Sequence, residues 1–179
     1  MSVSERLTQE AIRRALAALA AALPSGDAPR ELWIVGGAAL VLLYGARDST
    51  RDVDAFTLDP AGSAELRAAA AAVATQLGLP DDWLNDGAKG YLHGLSPGEL
   101  LFSAPGLLVR SVAAPQLLAM KLSAWRDDLD VSDARLLLSK LSGDRASVWS
   151  QVEPHLVPGR QLKAQYAFDD LWEADRGPA

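Results

Sequence analysis

Apolar and polar positions recur along this chain with two periods, one near 3.6 residues and one near 2, and the period changes at glycine and proline. Over residues 4–23, Leu7, Ile12, Leu16, Leu19 and Leu23 recur near helical spacing. They predict an amphipathic first helix with Ser2 or Ser4 as its N-cap. Pro24-Ser25-Gly26-Asp27 ends it. Residues 31–35 are a short apolar run that reads as a buried strand, followed by Gly36-Gly37. Residues 38–45 predict a helix closed by Gly45. After the polar loop 46–51, residues 52–58 predict a second strand, stopped by Pro60-Ala61-Gly62.

The alanine-rich stretch 63–77 predicts a helix with Gly78 as its C-terminal cap. Residues 80–94 predict a short helix and turn anchored by Trp83 and Tyr91, and residues 95–106, rich in Pro, Gly and Ser, read mainly as loop. Residues 107–112 predict a third strand. Pro115 opens a helix to about Trp125, and another runs over about 130–141. Helices at about 145–156 and 161–174 finish the chain before a frayed end at 176–179. Three strands with helices before, between and after them predict an α+β (or α/β) class, with a small mixed sheet flanked by helices and a C-terminal helical part. The expected division is a core over residues 1–113, including the first helix, and a helical part over 114–179 packed on it.

Composition narrows the chemistry. The chain of 179 residues contains no cysteine, which excludes disulfides and thiolate metal sites. His93 and His155 lie far apart and form no ligand pair. Carboxylates are then the metal ligands to consider, and they suit Mg²⁺ or Mn²⁺. A formal charge of −6 argues against an extensive nucleic-acid coat but not against a local basic patch. No stretch approaches the ~20 apolar residues that span a bilayer. Arg13-Arg14 before the Ala/Leu run 15–23 faintly resembles a signal peptide, but Glu5 and Glu10 precede it and its leucines keep helical spacing. The expectation is a cytoplasmic protein without membrane contact.

Within the second predicted strand Asp52 and Asp54 share one face, and Val53 and Ala55 take the other. Two adjacent carboxylates repel unless a cation lies between them, so the pair reads as a divalent-metal site facing a glycine turn whose N–H groups can receive phosphate. A solvated strand face is the plain alternative. Gly36-Gly37 followed by Arg47, Thr50 and Asp52-Val53-Asp54 resembles the signature of nucleotidyltransferases with the DNA polymerase beta-type fold. It is especially similar to the bacterial AbiE-type (AbiEii-like) nucleotidyltransferase toxins and their uncharacterised relatives.

The resemblance implies a nucleotidyltransferase-type sheet and an enzyme moving a nucleoside monophosphate from an NTP to a hydroxyl on RNA, tRNA or protein. It would act as the toxin of a toxin–antitoxin pair, with an antitoxin protein as partner. It implies that Gly36 and Gly37 hold the triphosphate and that Asp52 and Asp54 hold Mg²⁺ (or Mn²⁺). The superfamily's third carboxylate on a later strand has no counterpart in 107–112, which carries Arg110 and no acid. The toxin-like branch has instead a lysine on the helix after the third strand and a D-x-x-D on the next. Lys121 and Asp130-Val131-Ser132-Asp133 match those positions, implying a catalytic set of Asp52, Asp54, Lys121, Asp130 and Asp133.

The residues allow bland readings beside these. Lys121 falls near the middle of an apolar arc formed by Leu117, Leu118, Leu122, Ala124 and Trp125. It is either a snorkelling lysine or one that binds triphosphate or orients a carboxylate. Asp130 reads as an N-cap with Asp133 in the first turn. If the helix starts earlier, Asp130 instead joins Ala134, Leu137 and Leu141 on the buried face. Arg47 and Arg51 are phosphate contacts or solvated loop residues, Thr50 is expected to shape the loop by bonding backbone near Asp52, and Trp83 is a core residue. Two other functions remain open: a non-catalytic nucleotide- or partner-binding protein of the same fold, and a small-molecule (antibiotic-type) nucleotidyltransferase.

Overall fold

Strand β1 (Leu7–Thr8) runs directly into helix α1 (Gln9–Ala22), and Thr8 makes the transition. Its backbone is extended, and its hydroxyl accepts the Ala11 N–H at 3.2 Å. The expected caps, Ser2 and Ser4, lie outside the residues that the computed structural model describes, which are 6–24, 26, 28–60 and 62–176. Ser25, Asp27, Ala61 and residues 177–179 also lie outside them. Thr8→Ala should lower stability by about 1 kcal/mol, the usual worth of such a cap, and reduce the urea midpoint accordingly.

The remaining elements are β2 (Arg30–Ile34), α2 (Gly36–Tyr44), β3 (Ser49–Thr50), β4 (Val53–Phe56), α3 (Ser63–Leu77), β5 (Leu84–Asn85), a 3-10 turn (Gly87–Tyr91), β6 (Pro97–Ala104), β7 (Leu107–Val112), α4 (Ala114–Ala124), α5 (Asp128–Ser139), α6 (Arg145–Val152), a second 3-10 turn (Glu153–His155) and α7 (Gln161–Arg176). The class is mixed α+β with a C-terminal helical part. The five-stranded sheet has the order β5-β4-β2-β7-β6, and β1 pairs with β3 in a separate two-stranded ribbon. Strand β2 is antiparallel to β4, with Ile34 opposite Ala55, and parallel to β7, with Ile34 opposite Ser111. Strand β5 is parallel to β4 and places Asn85 opposite Asp54. Among the described residues no helix is long and apolar enough to cross a membrane.

The chain divides into two compact units. One comprises the residues up to Ala88 with Glu99–Ser111, the other Lys89–Gly98 with the residues from Val112 onward. In the first, Ile12, Leu16 and Leu19 of α1 are buried and α1 packs on α3. Helix α2 buries Ala38 to Leu42 on all sides, as a helix apolar around its whole circumference must. Trp83 is fully buried and donates its indole N–H to Ala70 O at 3.0 Å, the core role expected of it. In the second unit α4 is central and packs on α5, α6 and α7. Buried Gln116 on α4 accepts from Ser96 N–H and donates to the carbonyls of His93 and Gly94, fixing the segment 93–96.

The three expected strands are present, and among the described residues four more appear. Residues 95–106 are not mainly loop. Strand β6 occupies most of them and folds back into β7 through Pro105-Gly106, where Gly106 has φ 82°. Its Pro97 and Gly98 mask the strand in the sequence, yet an edge strand tolerates proline because one side of it needs no ladder partner. The stretch 80–94 forms β5 and a 3-10 turn. Helix α6 stops at Val152, and Pro154 falls in the 3-10 turn that follows it.

Candidate functional site

The first cluster forms where β2 hands over to α2. Val35, at the N-cap, has no side chain that can close the first N–H groups of the helix. Gly36 takes φ 63°, which turns the chain from strand into helix, and a Cβ there would lie 3.1 Å from Asp54 Oδ2. A Cβ at Gly37 would lie 2.7 Å from Thr50 Oγ1 and 3.2 Å from Arg47 Nη1. The two glycines are therefore the gap that lets Asp54, Thr50 and Arg47 crowd the first turn of α2. Thr50 is buried, is held in β3 opposite Leu7, and faces Gly37. Arg51 is exposed.

Strand β4 supplies the carboxylates by alternation. Val53 and Ala55 are buried, while Asp52, just before the strand, and Asp54 are half-buried on the other face. Asp52 Oδ2 accepts from Asn85 Nδ2 at 3.1 Å, and Asp54 Oδ1 accepts from the Ala88 N–H at 3.1 Å. The same Asn85 accepts the Gly87 N–H at 2.8 Å through its Oδ1. The 107–112 strand has no acid to add, since Arg110 pairs with Glu31 at 2.8 Å.

The second cluster lies in the other unit. Helix α5 begins at Asp128 and its N-cap is Asp127, whose carboxylate accepts the Asp130 N–H at 3.0 Å. Asp130 is therefore not the cap. The earlier start rotates Asp130 and Asp133 onto the buried face, where they are 1% and 3% exposed. Lys121 Nζ lies 2.9 Å from Asp130 Oδ1 and 2.7 Å from Asp133 Oδ2. It is not a snorkelling lysine: its ammonium bridges two buried carboxylates, with the side chain only 12% exposed.

Arg126 donates to Asp130 Oδ2 from both its backbone N–H and its Nε, at 3.0 and 3.1 Å. Trp125 makes that double contact possible by taking φ 37°, a left-handed conformation that costs a bulky residue about 1–2 kcal/mol. Burial alone pushes the Asp130 carboxyl up. The hydrogen bonds from Arg126 and Lys121 outweigh it and hold the group below its ordinary value. Lys121 and Arg126 thus face Asp130 and Asp133, with the Asp127 carboxylate beside them at the cap.

Gly36, Gly37, Arg47, Thr50, Asp52 and Asp54 thus gather in one unit, and Lys121, Asp130 and Asp133 in the other. Asn85, Arg126 and Asp127 are the functional candidates that pattern reading passed over. Asn85 lies in the stretch Trp83-Leu84-Asn85-Asp86, where nothing local ties the amide to Asp52. Asp127 was detectable as a capping residue one position before the helix.

Two carboxylates on one strand face match what Mg²⁺ or Mn²⁺ takes from a protein when phosphate oxygens and water complete the shell. Among the described residues no group of three or more His, Asp or Glu side chains gathers to enclose an ion. No protein-family model, no curated protein and no solved structure matches the chain.

Proposed function

We propose that this protein is a Mg²⁺-dependent nucleotidyltransferase that moves a nucleoside monophosphate from an NTP to a hydroxyl acceptor. One observation carries the reading: an uncapped helix N-terminus, opened by Gly36-Gly37, lies against Asp54, Thr50 and Arg47. Backbone N–H groups at such a terminus receive phosphate oxygens, and the helix dipole favours their charge. Arg47 offers a guanidinium to the same oxygens. Asp52 and Asp54 would hold the cation, which, when bound, offsets the charge of the triphosphate and of the leaving pyrophosphate. The acceptor oxygen would form its bond to the α-phosphorus as the bond to pyrophosphate breaks, and the hydroxyl proton would leave to a base or to water.

In this reading Lys121 orients Asp130 and Asp133. Its ammonium already meets two carboxylates, which suits fixing them better than contacting a triphosphate. Both oxygens of Asp130 are likewise engaged. By resemblance, the acceptor would be RNA, tRNA or a protein and the biological role that of a toxin held by an antitoxin. A non-catalytic, nucleotide-binding protein is the second reading, favoured by Arg110 on β7, the strand where the resemblance calls for a third acid.

One experiment separates the two. The protein is incubated with each α-labelled NTP, Mg²⁺ and either total RNA or lysate, beside Asp52→Ala/Asp54→Ala. Label transfer that disappears in the variant supports the enzyme and identifies the acceptor class. NTP binding without transfer supports the second reading.

A further inference from the structure

Resting on the nucleotidyltransferase reading, we infer that Asn85 is a positioning residue that braces both metal-binding carboxylates, Asp52 directly and Asp54 through the turn after it. Three contacts carry this. The Asn85 amide donates to Asp52 Oδ2 at 3.1 Å and to Asp82 O at 3.2 Å, so its nitrogen is fixed on both sides. The Asn85 carbonyl oxygen accepts the Gly87 N–H at 2.8 Å and closes the chain into the 3-10 turn. The next N–H in that turn, from Ala88, reaches Asp54 Oδ1 at 3.1 Å.

The turn has no spare room. A Cβ at Gly87 would lie 2.9 Å from Asn85 Oδ1 and 3.6 Å from Asp54 Oδ1, so glycine is what lets the brace close. The register supplies the rest, since β5 places Asn85 beside Asp54 on the neighbouring strand. An amide is suited to this place because it donates on one side and accepts on the other. Aspartate would keep the acceptor for Gly87 but turn a carboxylate toward Asp52. The brace fixes one oxygen of each carboxylate, Asp52 Oδ2 and Asp54 Oδ1.

The test uses Mn²⁺ as probe, with free Mn²⁺ read by electron paramagnetic resonance on the intact chain and with thermal melts recorded with and without the ion. Asn85→Ala is expected to weaken Mn²⁺ binding about tenfold or more, the usual effect of losing a residue that orients a metal ligand. Asn85→Gln keeps an uncharged amide but displaces it by one methylene, so it keeps the test decisive should Asn85→Ala not fold. It is expected to weaken Mn²⁺ binding in the same direction, because the donor to Asp52 Oδ2 is moved out of place. A purely structural role predicts lower melting in both variants with unchanged Mn²⁺ affinity, and that result overturns the inference while leaving the nucleotidyltransferase reading in place. Wild-type protein that binds no Mn²⁺, or binds it equally after Asp52→Ala/Asp54→Ala, overturns both.

Discussion

Lys121→Met is expected to destabilise the protein by about 3–5 kcal/mol, the cost of removing one partner from a buried ion pair. The physical reason is the pair of carboxylates that the lysine bridges. Asp130 and Asp133 are almost completely buried, and without the ammonium both lose the cation that bridges them. Methionine fills the volume, so the loss isolates charge from packing. Domains of this kind are stable by only about 5–15 kcal/mol, so the shift in urea midpoint should be large and easily measured. An unchanged midpoint would mean that Lys121 contributes nothing through these contacts.

The pH dependence gives the same assignment a sign. In the native protein the Asp130 carboxyl is held below its unfolded value by Arg126 and Lys121 against the opposing effect of burial. Its stabilisation is therefore fully present above the unfolded carboxylate value, near about pH 4, and is lost as the pH falls through the lower folded value. Wild-type stability should accordingly decline on acidification below about pH 4 through this group. Asp130→Asn, which removes this titrating group, should lose that decline, and profiles of variant and wild type that run parallel below about pH 4 would contradict the arrangement.

Gly37→Ala is expected to destabilise the fold and to weaken NTP binding together. Inside a helix, alanine should be better than glycine by roughly 0.5–1 kcal/mol, so propensity alone predicts a gain. Against it stands a Cβ placed 2.7 Å from Thr50 Oγ1, and Thr50 is buried and paired in β3, so it cannot swing aside as the end of Arg47 can. Overpacking of that kind costs about 1–3 kcal/mol, which exceeds the propensity gain. The shift displaces Thr50 and Arg47 from the first turn of α2, where the triphosphate is proposed to lie.

Gly36→Ala adds a left-handed φ of 63° to a contact of 3.1 Å with Asp54. Gly45→Ala is the control: its φ of 56° is equally strained, but nothing lies within 4 Å of its Cβ. Titration with a fluorescent NTP should show weakened binding for the first two variants and none for the third, although all three melt lower. A Gly37→Ala protein that melts higher than wild type and binds NTP normally would remove the glycine pair from the site.

The sequence by itself determined whatever is decided between near neighbours along the chain. Alternation over Asp52-Val53-Asp54-Ala55 set which side chains share a face, because a strand repeats every two residues. Gly45 and Gly78 closed their helices because both take left-handed conformations that glycine adopts without strain. The apolar arc around Lys121 placed a cation on a buried face, and the two spacings of Asp130 and Asp133 left open whether they capped the helix or faced inward.

Tertiary structure decided everything that joins distant stretches. Asp127 took the cap, and so Asp130 and Asp133 turned toward Lys121. Asn85 meets Asp52 across 33 positions, and Leu7 pairs with Thr50 across the whole of α1, β2 and α2. Strand β6 exists because β7 offers it a partner, although its own Pro97 and Gly98 argue against a strand. Local periodicity cannot encode such pairings. Their energy comes from partners that only folding brings within hydrogen-bonding distance, and residues such as Asn85 look unremarkable until it does.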